Sequence, residues 1–224
     1  MQEGLLPLFP LQVVLFPGAE LPLHIFEDRY KEMIGEAVRD HIEFGVVLAS
    51  DKGLVSTGCT ATVERVLKQY PDGRMDILTL GRRRFEILLL NNERVFLRGS
   101  VEFFDDEPSE PVPPAVQKLV LDGYNEMQTL LSEEQNSTEK AAPSSANPRL
   151  SFRLAEPVPD LGLRQLLLST RSEAQRMRHL AEFFPEYLVR QKRIQHVREI
   201  APRNGHGRSA EPIEDGADEK APDA

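Results

Sequence analysis

Residues able to carry chemistry are few in this chain, and their spacing does not favour a reaction centre. The single cysteine, Cys59, lies in the run TGCTATV, whose alternation is typical of a strand. As a nucleophile it would need a histidine base, and the chain offers His24, His41, His179, His196 and His206. We find no third residue that would orient such a pair. We therefore interpret Cys59 as a small, buried residue.

Signatures of common enzyme classes do not occur. The patterns G-x-x-x-x-G-K-[ST], G-x-S-x-G and H-E-x-x-H are all missing. His41-Ile42-Glu43 matches the first part of a zinc-deaminase signature, but the second part needs two cysteines and the chain has one. One cysteine also excludes an internal disulfide and a thiolate metal cage. We expect no catalytic, cofactor-binding or metal-binding residue, and no cofactor.

The sharpest basic cluster is Gly81-Arg82-Arg83-Arg84. On a strand, Arg82 and Arg84 would face one way and Arg83 the other. One interpretation is a contact for an anion or RNA. The other, which we favour, is a solvated strand start whose charge discourages edge pairing. The formal net charge of −9 also weighs against a protein that follows nucleic-acid phosphates.

The elements that would position these residues begin with short extended pieces between residues 5 and 26. Val13–Phe16 is typical of a strand, and Pro17-Gly18 is typical of the turn that ends it. Leu21–Ile25 alternates as a half-buried strand does. Four prolines interrupt this apolar segment, and proline cannot donate to a strand ladder. Each proline-bearing piece is therefore expected at an edge, a bulge or a strand start.

A helix and further strands complete the first half of the chain. Apolar residues recur at helical spacing from Phe26 to Val38, and two acidic residues in the first turn favour the helix dipole. A buried strand is predicted at Ile42–Ala49 and a last strand at Val95–Phe104. Between them, residues 58–70 and 74–90 predict a hairpin, because Pro71-Asp72-Gly73 supplies the residues that a tight turn requires.

The second half of the chain shows helical patterns in place of strand patterns. The proline-rich run EPSEPVPP predicts a stiff linker from Glu107. Helices are predicted at Pro114–Leu131, at Leu161–Ser169 and from Arg171 to about Ile200, with Pro185 bending or dividing the last one. We accordingly expect a β-rich subdomain at 5–106, a helical subdomain at 107–200 with a mobile loop at 132–149, and a disordered acidic tail at 201–224.

Composition sets the expected compartment. Of the 224 residues, 40% are hydrophobic and 28% charged, which suits a folded core. No run approaches the roughly 18 apolar residues that a membrane helix needs. The first residues show no basic segment followed by an unbroken apolar one, so a secretory signal is not expected. Together with the single cysteine, these features predict a cytoplasmic protein without membrane contact.

The opening stretch resembles a known family. The residues that carry the resemblance are PLFPL (Pro7–Leu11), VLFPG (Val14–Gly18) and LPLHIFEDRY (Leu21–Tyr30). They are similar to the N-terminal domain of Lon proteases, above all to its stand-alone form. Later segments follow in the family's order, namely Phe44–Leu48, Gly58, Asp72–Arg74, Gly81–Phe85, Gln165–Leu167, Glu173, Arg176 and Leu180. The resemblance covers roughly residues 5–199. Gln12 departs from it, standing where full-length proteases commonly carry arginine.

This resemblance implies an α+β fold, with a PUA-like β pseudo-barrel followed by a C-terminal helical bundle. It also gives the prolines a purpose, because a small barrel must turn sharp corners and shield its strand ends. Full-length Lon carries an ATPase and a Ser-Lys peptidase module. This chain has no Walker A motif, and we expect no proteolysis by it.

The resemblance further implies recognition of protein substrates. Our leading hypothesis is a non-catalytic module that binds unfolded or exposed polypeptide in a cleft between the β and helical halves. An RNA-binding PUA-like protein is the alternative, although we do not expect nucleic acid as the partner. An adaptor for a separate protease, and an enzyme with an unrecognised site, also remain open. The sequence names no residue of a peptide site, no oligomeric state and no role for the tail.

Overall fold

A computed structural model describes residues 4–51, 53–108, 110–135 and 149–200. By contact, the chain divides into one compact unit up to Pro185 and a second from Glu186 onward. The first unit holds every strand described below and four complete helices. The predicted tail and most of the predicted loop at 132–149 lie outside the described residues.

A six-stranded mixed sheet forms the first half of the chain. Its strands are β1 (Leu6–Leu11), β2 (Glu20–Ile25), β3 (Phe44–Ser50), β4 (Gly53–Gln69), β5 (Met75–Asn91) and β6 (Arg98–Phe104). They lie in the order β2-β5-β4-β3-β1-β6, and an additional pairing of β5 with β6 closes the last five into a ring. β1 and β3 are parallel, and the other pairs are antiparallel. The predicted β pseudo-barrel is confirmed.

Pairing on one side explains two of the prolines. β2 pairs only with β5 in the described sheet. The carbonyls of Ala19 and Leu21 face β5, since they accept from Gly81 N and Thr79 Oγ1. Alternate residues of an antiparallel strand face opposite neighbours, so the backbone of Pro22 faces the open edge, where its missing N–H costs no ladder bond. Pro10 lies beyond the short pairing of β1 with β6.

The β4–β5 hairpin forms as predicted. Tyr70 N donates to Arg74 O and Gly73 N donates to Tyr70 O, which closes the turn. Gly73 has φ 83°, a conformation that costs a side-chain-bearing residue more than glycine. Asp72 accepts from Arg74 N at 3.2 Å, the local side-chain bond expected of this turn.

The barrel interior is filled around Phe85. Leu8, Val47 and Phe85 form a fully buried cluster. Gly45 and Gly58 flank the ring, and a Cβ built on Gly58 would lie 2.5 Å from Phe85 Cζ. Small residues on neighbouring strands therefore make the room that one phenylalanine occupies.

Helix α1 (Asp28–Asp40) covers the sheet through one face. Its buried residues are Tyr30, Met33, Ile34 and Ala37, which confirms the predicted spacing. Phe26 does not belong to this face, because it precedes the helix and is 59% exposed. The helix ends at His41, which adopts the left-handed conformation and donates its N–H to Ala37 O.

The second half is helical. It contains α2 (Pro114–Gln135), α3 (Leu150–Ala155), α4 (Leu161–Ser169) and α5 (Glu173–Ile200). The buried apolar residues of these helices up to Pro185 are Val120, Tyr124, Met127, Leu150, Phe152, Leu154, Ala155, Leu167, Leu168, Ala174, Met177, Leu180 and Phe184. The α+β fold class is thereby confirmed.

Several predictions for local structure were wrong. Val13–Phe16 is not a strand, because its residues turn inward and Val14, Leu15 and Phe16 are buried without a neighbouring strand to pair with. α2 continues past Leu131, and α3 begins directly after the segment predicted as loop, where no helix was predicted. Pro185 does not divide α5, which continues through it, and the alternative of a bend at Pro185 stays a prediction. The proposed division into subdomains at residue 107 stays a prediction.

Candidate functional site

A cavity of about 600 Å³ lies between the β-rich half and the helices within the first compact unit. Apolar and polar side chains both contribute to its lining. The apolar members are Val13, Val14, Leu15, Ala19, Leu21, Leu131, Pro157 and Leu161, and the others are Glu20, Tyr124, Gln128, Ser132, Glu156 and Arg164. A pocket of this size that combines apolar side chains with convergent polar groups is a common form of ligand site.

The wall on the β side is the irregular segment between β1 and β2. Its inward turn places Leu15 and Phe16 in the core, with Phe16 stacked on Phe152 of α3 at 5.2 Å between ring centroids. The turn at Pro17-Gly18 then directs the chain into β2, and Glu20 and Leu21 continue the wall. The proline-rich opening of the sequence thus forms one side of the cavity.

The helical wall depends on the start of α4. The Asp160 carboxylate accepts from Leu163 N at 2.8 Å and caps the helix. This cap fixes the first turn, which presents Leu161 and Arg164 to the cavity. Sequence analysis missed both residues. The signal was present, since Arg164 is the one charged residue in the mainly apolar run LGLRQLLLS.

Arg164 is held by backbone carbonyls. Nη1 donates to Glu156 O at 2.8 Å and Nη2 donates to Val14 O at 2.7 Å, so the guanidinium joins the helices to the β-side wall. Its Cζ lies 5.1 Å from the Phe16 ring centroid, over the face of the ring. The buried Nε has no acceptor among the described residues. Burial lowers the pKa of Arg164, against a smaller opposing effect of the Glu156 charge.

Two carboxylates also line the cavity. Glu156 accepts from Arg153 Nη1 at 2.8 Å, so its charge is largely engaged at the surface of α3. Glu20 is exposed at the first position of β2. Arg164 is the only basic residue among the lining residues.

A second polar cluster ties the end of β6 to the helices. Asp106 accepts from Arg84 Nη2 at 2.5 Å and from both Nη atoms of Arg176. Arg176 also pairs with Glu173, and its Nε donates to Ser151 Oγ. Burial alone would raise the pKa of Asp106, but the two guanidinium groups outweigh it and lower the pKa. The cluster fixes the geometry of the fold and does not line the cavity.

The arginine cluster of the sequence does not act as one surface. Arg84 is 5% exposed and belongs to the Asp106 cluster, so both interpretations of it as a surface residue were wrong. Arg82 and Arg83 are exposed and paired with Glu64 and Glu43. The cluster also lies inside β5 and does not begin it. Sequence reasoning missed the buried role because Asp106 is distant along the chain.

Cys59 has the predicted environment. It is fully buried, and burial raises the pKa of its thiol to about 12. The predicted alternation is incomplete, because the intervening Thr60 is fully buried as well.

The side chain of His24 contacts a carboxylate and not Cys59. His24 Nδ1 lies 2.6 Å from Asp76 Oδ1, and Tyr70 donates to the other oxygen of that carboxylate at 2.8 Å. This trio spans β2, the end of β4 and β5 near the hairpin turn. No described group of three or more histidine, cysteine or carboxylate residues could hold a metal ion. Within the described part of the chain, no helix is both long and apolar enough for a membrane span.

The fold and the cavity define a class: an α+β domain in which a small β barrel and a set of helices enclose a ligand-sized pocket. The sequence matches the family model of the substrate-binding domain of the ATP-dependent protease La (Lon) over residues 5–184. The chain therefore belongs to the Lon substrate-binding domain family.

Solved structures agree with this assignment. A Lon N-terminal domain protein from Xanthomonas campestris is 27% identical, with a TM-score of 0.63, and the match covers 80% of this chain and 98% of that one. The N-terminal domain of Mycobacterium avium complex Lon protease has a TM-score of 0.57 at 15% identity, covering 81% and 98%. The second likeness concerns the fold alone.

Curated relatives are Lon proteases that are matched over a small part of their length. The Lon protease of Parabacteroides distasonis is 31% identical over 124 residues, which is 51% of this chain and 15% of that protein. The Lon protease of Anaeromyxobacter dehalogenans is 33% identical over 111 residues, or 46% and 13%. The matched family is the substrate-binding part of these proteins.

Proposed function

We propose that this protein binds unfolded or exposed polypeptide segments in the cavity between its β and helical halves. The observation that carries the proposal is the cavity of about 600 Å³, with eight apolar residues in its lining, in a member of a substrate-binding family. A pocket of this size can take several side chains of one segment. Broad, weak recognition follows, because an apolar surface does not read an exact sequence.

Insertion of side chains fits this site better than addition of a strand. β2 is the open edge next to the cavity, but Pro22 removes a donor from that edge. A polypeptide that added itself to β2 would lack one ladder bond at that position. The cavity beside Glu20 and Leu21 accepts side chains without needing this edge.

The proposed role is binding without cleavage. The family match falls on the substrate-binding part of Lon proteases, and the sequence has no Walker A motif for an ATPase. Cys59, the residue best suited to be a nucleophile by type, is buried with a raised pKa. We further propose that the protein works in cytoplasmic quality control and passes bound segments to a separate protease.

Fluorescence anisotropy with the full chain tests the binding. The probe is fluorescein-labelled α-lactalbumin, reduced and carbamidomethylated so that it stays unfolded, and native α-lactalbumin is the control. We expect the unfolded probe to bind and the native one not to bind. Binding of neither probe, and of no short apolar peptide, would refute the proposal.

A matched pair of variants locates the site. Leu161→Glu places a charge in the cavity lining, whereas Leu89→Glu makes the same change at an exposed residue of β5 outside it. We expect Leu161→Glu to weaken binding at least about tenfold, because an apolar segment would have to bury against a carboxylate. Leu89→Glu should bind as the wild type does. Equal loss in both variants would remove the cavity from the proposal.

A further inference from the structure

Arg84 and Arg176 are buried and Arg164 is half-buried, and the three guanidinium groups have different partners. Arg84 and Arg176 both pair with the carboxylate of Asp106. Arg164 has no carboxylate within 4.0 Å among the described residues and is held only by backbone carbonyls. An enclosed cation is costly without a counter-charge. Of the three, Arg164 is therefore the one that an added anion would stabilise.

Arg164 also lies at the cavity, so its missing counter-charge matters for ligand binding. It lines the cavity and keeps part of its surface exposed. Its buried Nε has no acceptor in the part of the chain that the structure describes, and burial lowers the pKa of the guanidinium. Of the nearby acidic groups, Glu156 is engaged by Arg153, and Glu20 is exposed, where solvent and salt screen its charge. An anionic group in the cavity would therefore find one cation that is not already paired.

We propose that Arg164 binds the α-carboxylate of a polypeptide C-terminus while the last apolar side chains fill the cavity. This inference rests on the proposed function and names the substrate class: unfolded chains with a free, apolar C-terminal end. A carboxylate satisfies guanidinium donors with charge-assisted hydrogen bonds, which are stronger than those from a neutral carbonyl. Only at a chain end does a carboxylate adjoin an apolar side chain of the same residue, and the lining around Arg164 provides for both groups.

Peptide chemistry tests this without altering the protein. The probes are fluorescein-labelled peptides of glycine and serine that end in Leu-Ala-Leu, made as the free acid and as the C-terminal amide. A third peptide ends in Leu-Asp-Leu-amide and carries its carboxylate on a side chain. We expect the free acid to bind about tenfold or more tightly than the amide. The difference should shrink at high salt, because screening weakens the charge contact.

Each outcome has a defined meaning. Equal affinity for acid and amide would overturn the role of Arg164 but leave the proposed function standing, whereas no binding by any peptide would refute the proposed function as well. Binding of the Leu-Asp-Leu-amide peptide as tightly as the free acid would overturn the assignment to the chain end.

Variants supply a second test. Arg164→Gln should bind acid and amide equally, and Arg164→Lys should recover part of the preference. Arg178→Gln removes an exposed arginine outside the cavity and should keep the full preference. A preference that survives in a folded Arg164→Gln protein, with folding verified by circular dichroism, would contradict the inference. Should that variant not fold, the peptide comparison decides alone.

Discussion

Arg176 donates hydrogen bonds to the carboxylate of Asp106 from both terminal nitrogens, Nη1 to Oδ1 at 2.7 Å and Nη2 to Oδ2 at 2.5 Å. The pair joins the segment after β6 to α5, and Arg84 of β5 approaches the same carboxylate. Both guanidinium groups are buried. Asp106 therefore pairs with two enclosed cations, of which Arg176 also pairs with Glu173, and the attachment of the helices to the barrel depends on it.

Replacing this aspartate should be severely destabilising. We expect Asp106→Asn to lower the free energy of unfolding by about 3–5 kcal/mol, because the buried Arg84 loses its counter-charge and Arg176 keeps only Glu173. Urea denaturation followed by circular dichroism measures the change. The matched control is Asp105→Asn at the preceding residue, whose side chain is 93% exposed, and it should change stability by less than about 0.5 kcal/mol. Similar losses in both variants would contradict this role for Asp106.

The same carboxylate predicts a dependence of stability on pH. The pKa of Asp106 is lowered in the folded protein, so it binds protons more weakly there than in the unfolded chain. Its contribution is therefore complete above the unfolded pKa of about 4 and is lost as pH falls through the lower folded value. The stability gap between wild type and Asp106→Asn should be constant from about pH 7 to pH 5 and narrow toward about pH 3. A gap that widens with acid would show the opposite linkage.

Replacement by alanine should change stability in opposite directions at two glycines, Gly58 beside Phe85 and Gly35 in α1. In Gly58→Ala the new Cβ would meet Phe85 Cζ at 2.5 Å and Val46 O at 2.7 Å, so we expect a loss of about 1–3 kcal/mol from overpacking. In Gly35→Ala, within α1, nothing lies within 4 Å of the new Cβ, and helix propensity predicts a gain of up to about 1 kcal/mol. Thermal unfolding compares the two, and a neutral Gly58→Ala would show that the barrel relaxes around the ring.

Cys59 should be inert in the folded protein. Its pKa of about 12 leaves almost no thiolate at about pH 8, and full burial excludes reagents. Ellman's reagent should therefore react slowly in native buffer and stoichiometrically in urea. The same sample before and after denaturation is its own control. Rapid labelling without denaturant would show that the barrel opens readily near β4.

Patterns of the sequence predicted what depends on neighbours along the chain. The β4–β5 turn forms because Asp72 and Gly73 supply the local bond and the positive φ. α1 buries the apolar residues that the helical period selects, and α4 begins and ends at the predicted residues. Cys59 is buried, as its small and apolar surroundings indicated. These features need only short-range geometry and the tendency of apolar surface to leave water.

Features that depend on distant partners were not predicted. Arg84 lies two residues from Arg82 and is of the same type, yet it is buried because the Asp106 carboxylate and the carbonyls of Leu168 and Thr170 accept from it. The inward turn at Val13–Phe16 has a strand-like composition, and only the helices that pack against it make burial without strand pairing possible.

The amino-acid sequence by itself determined the family, the order of most elements and the expectation that polypeptide is the ligand, since these follow from local patterns and from likeness to related chains. Tertiary structure alone decided where a ligand could bind. The cavity joins residues near position 20 to residues near position 160, and Arg164 donates to the Val14 carbonyl across that distance along the chain. The volume of a cavity and the charges around a side chain depend on residues that are distant along the chain, and these residues meet only after the chain has folded.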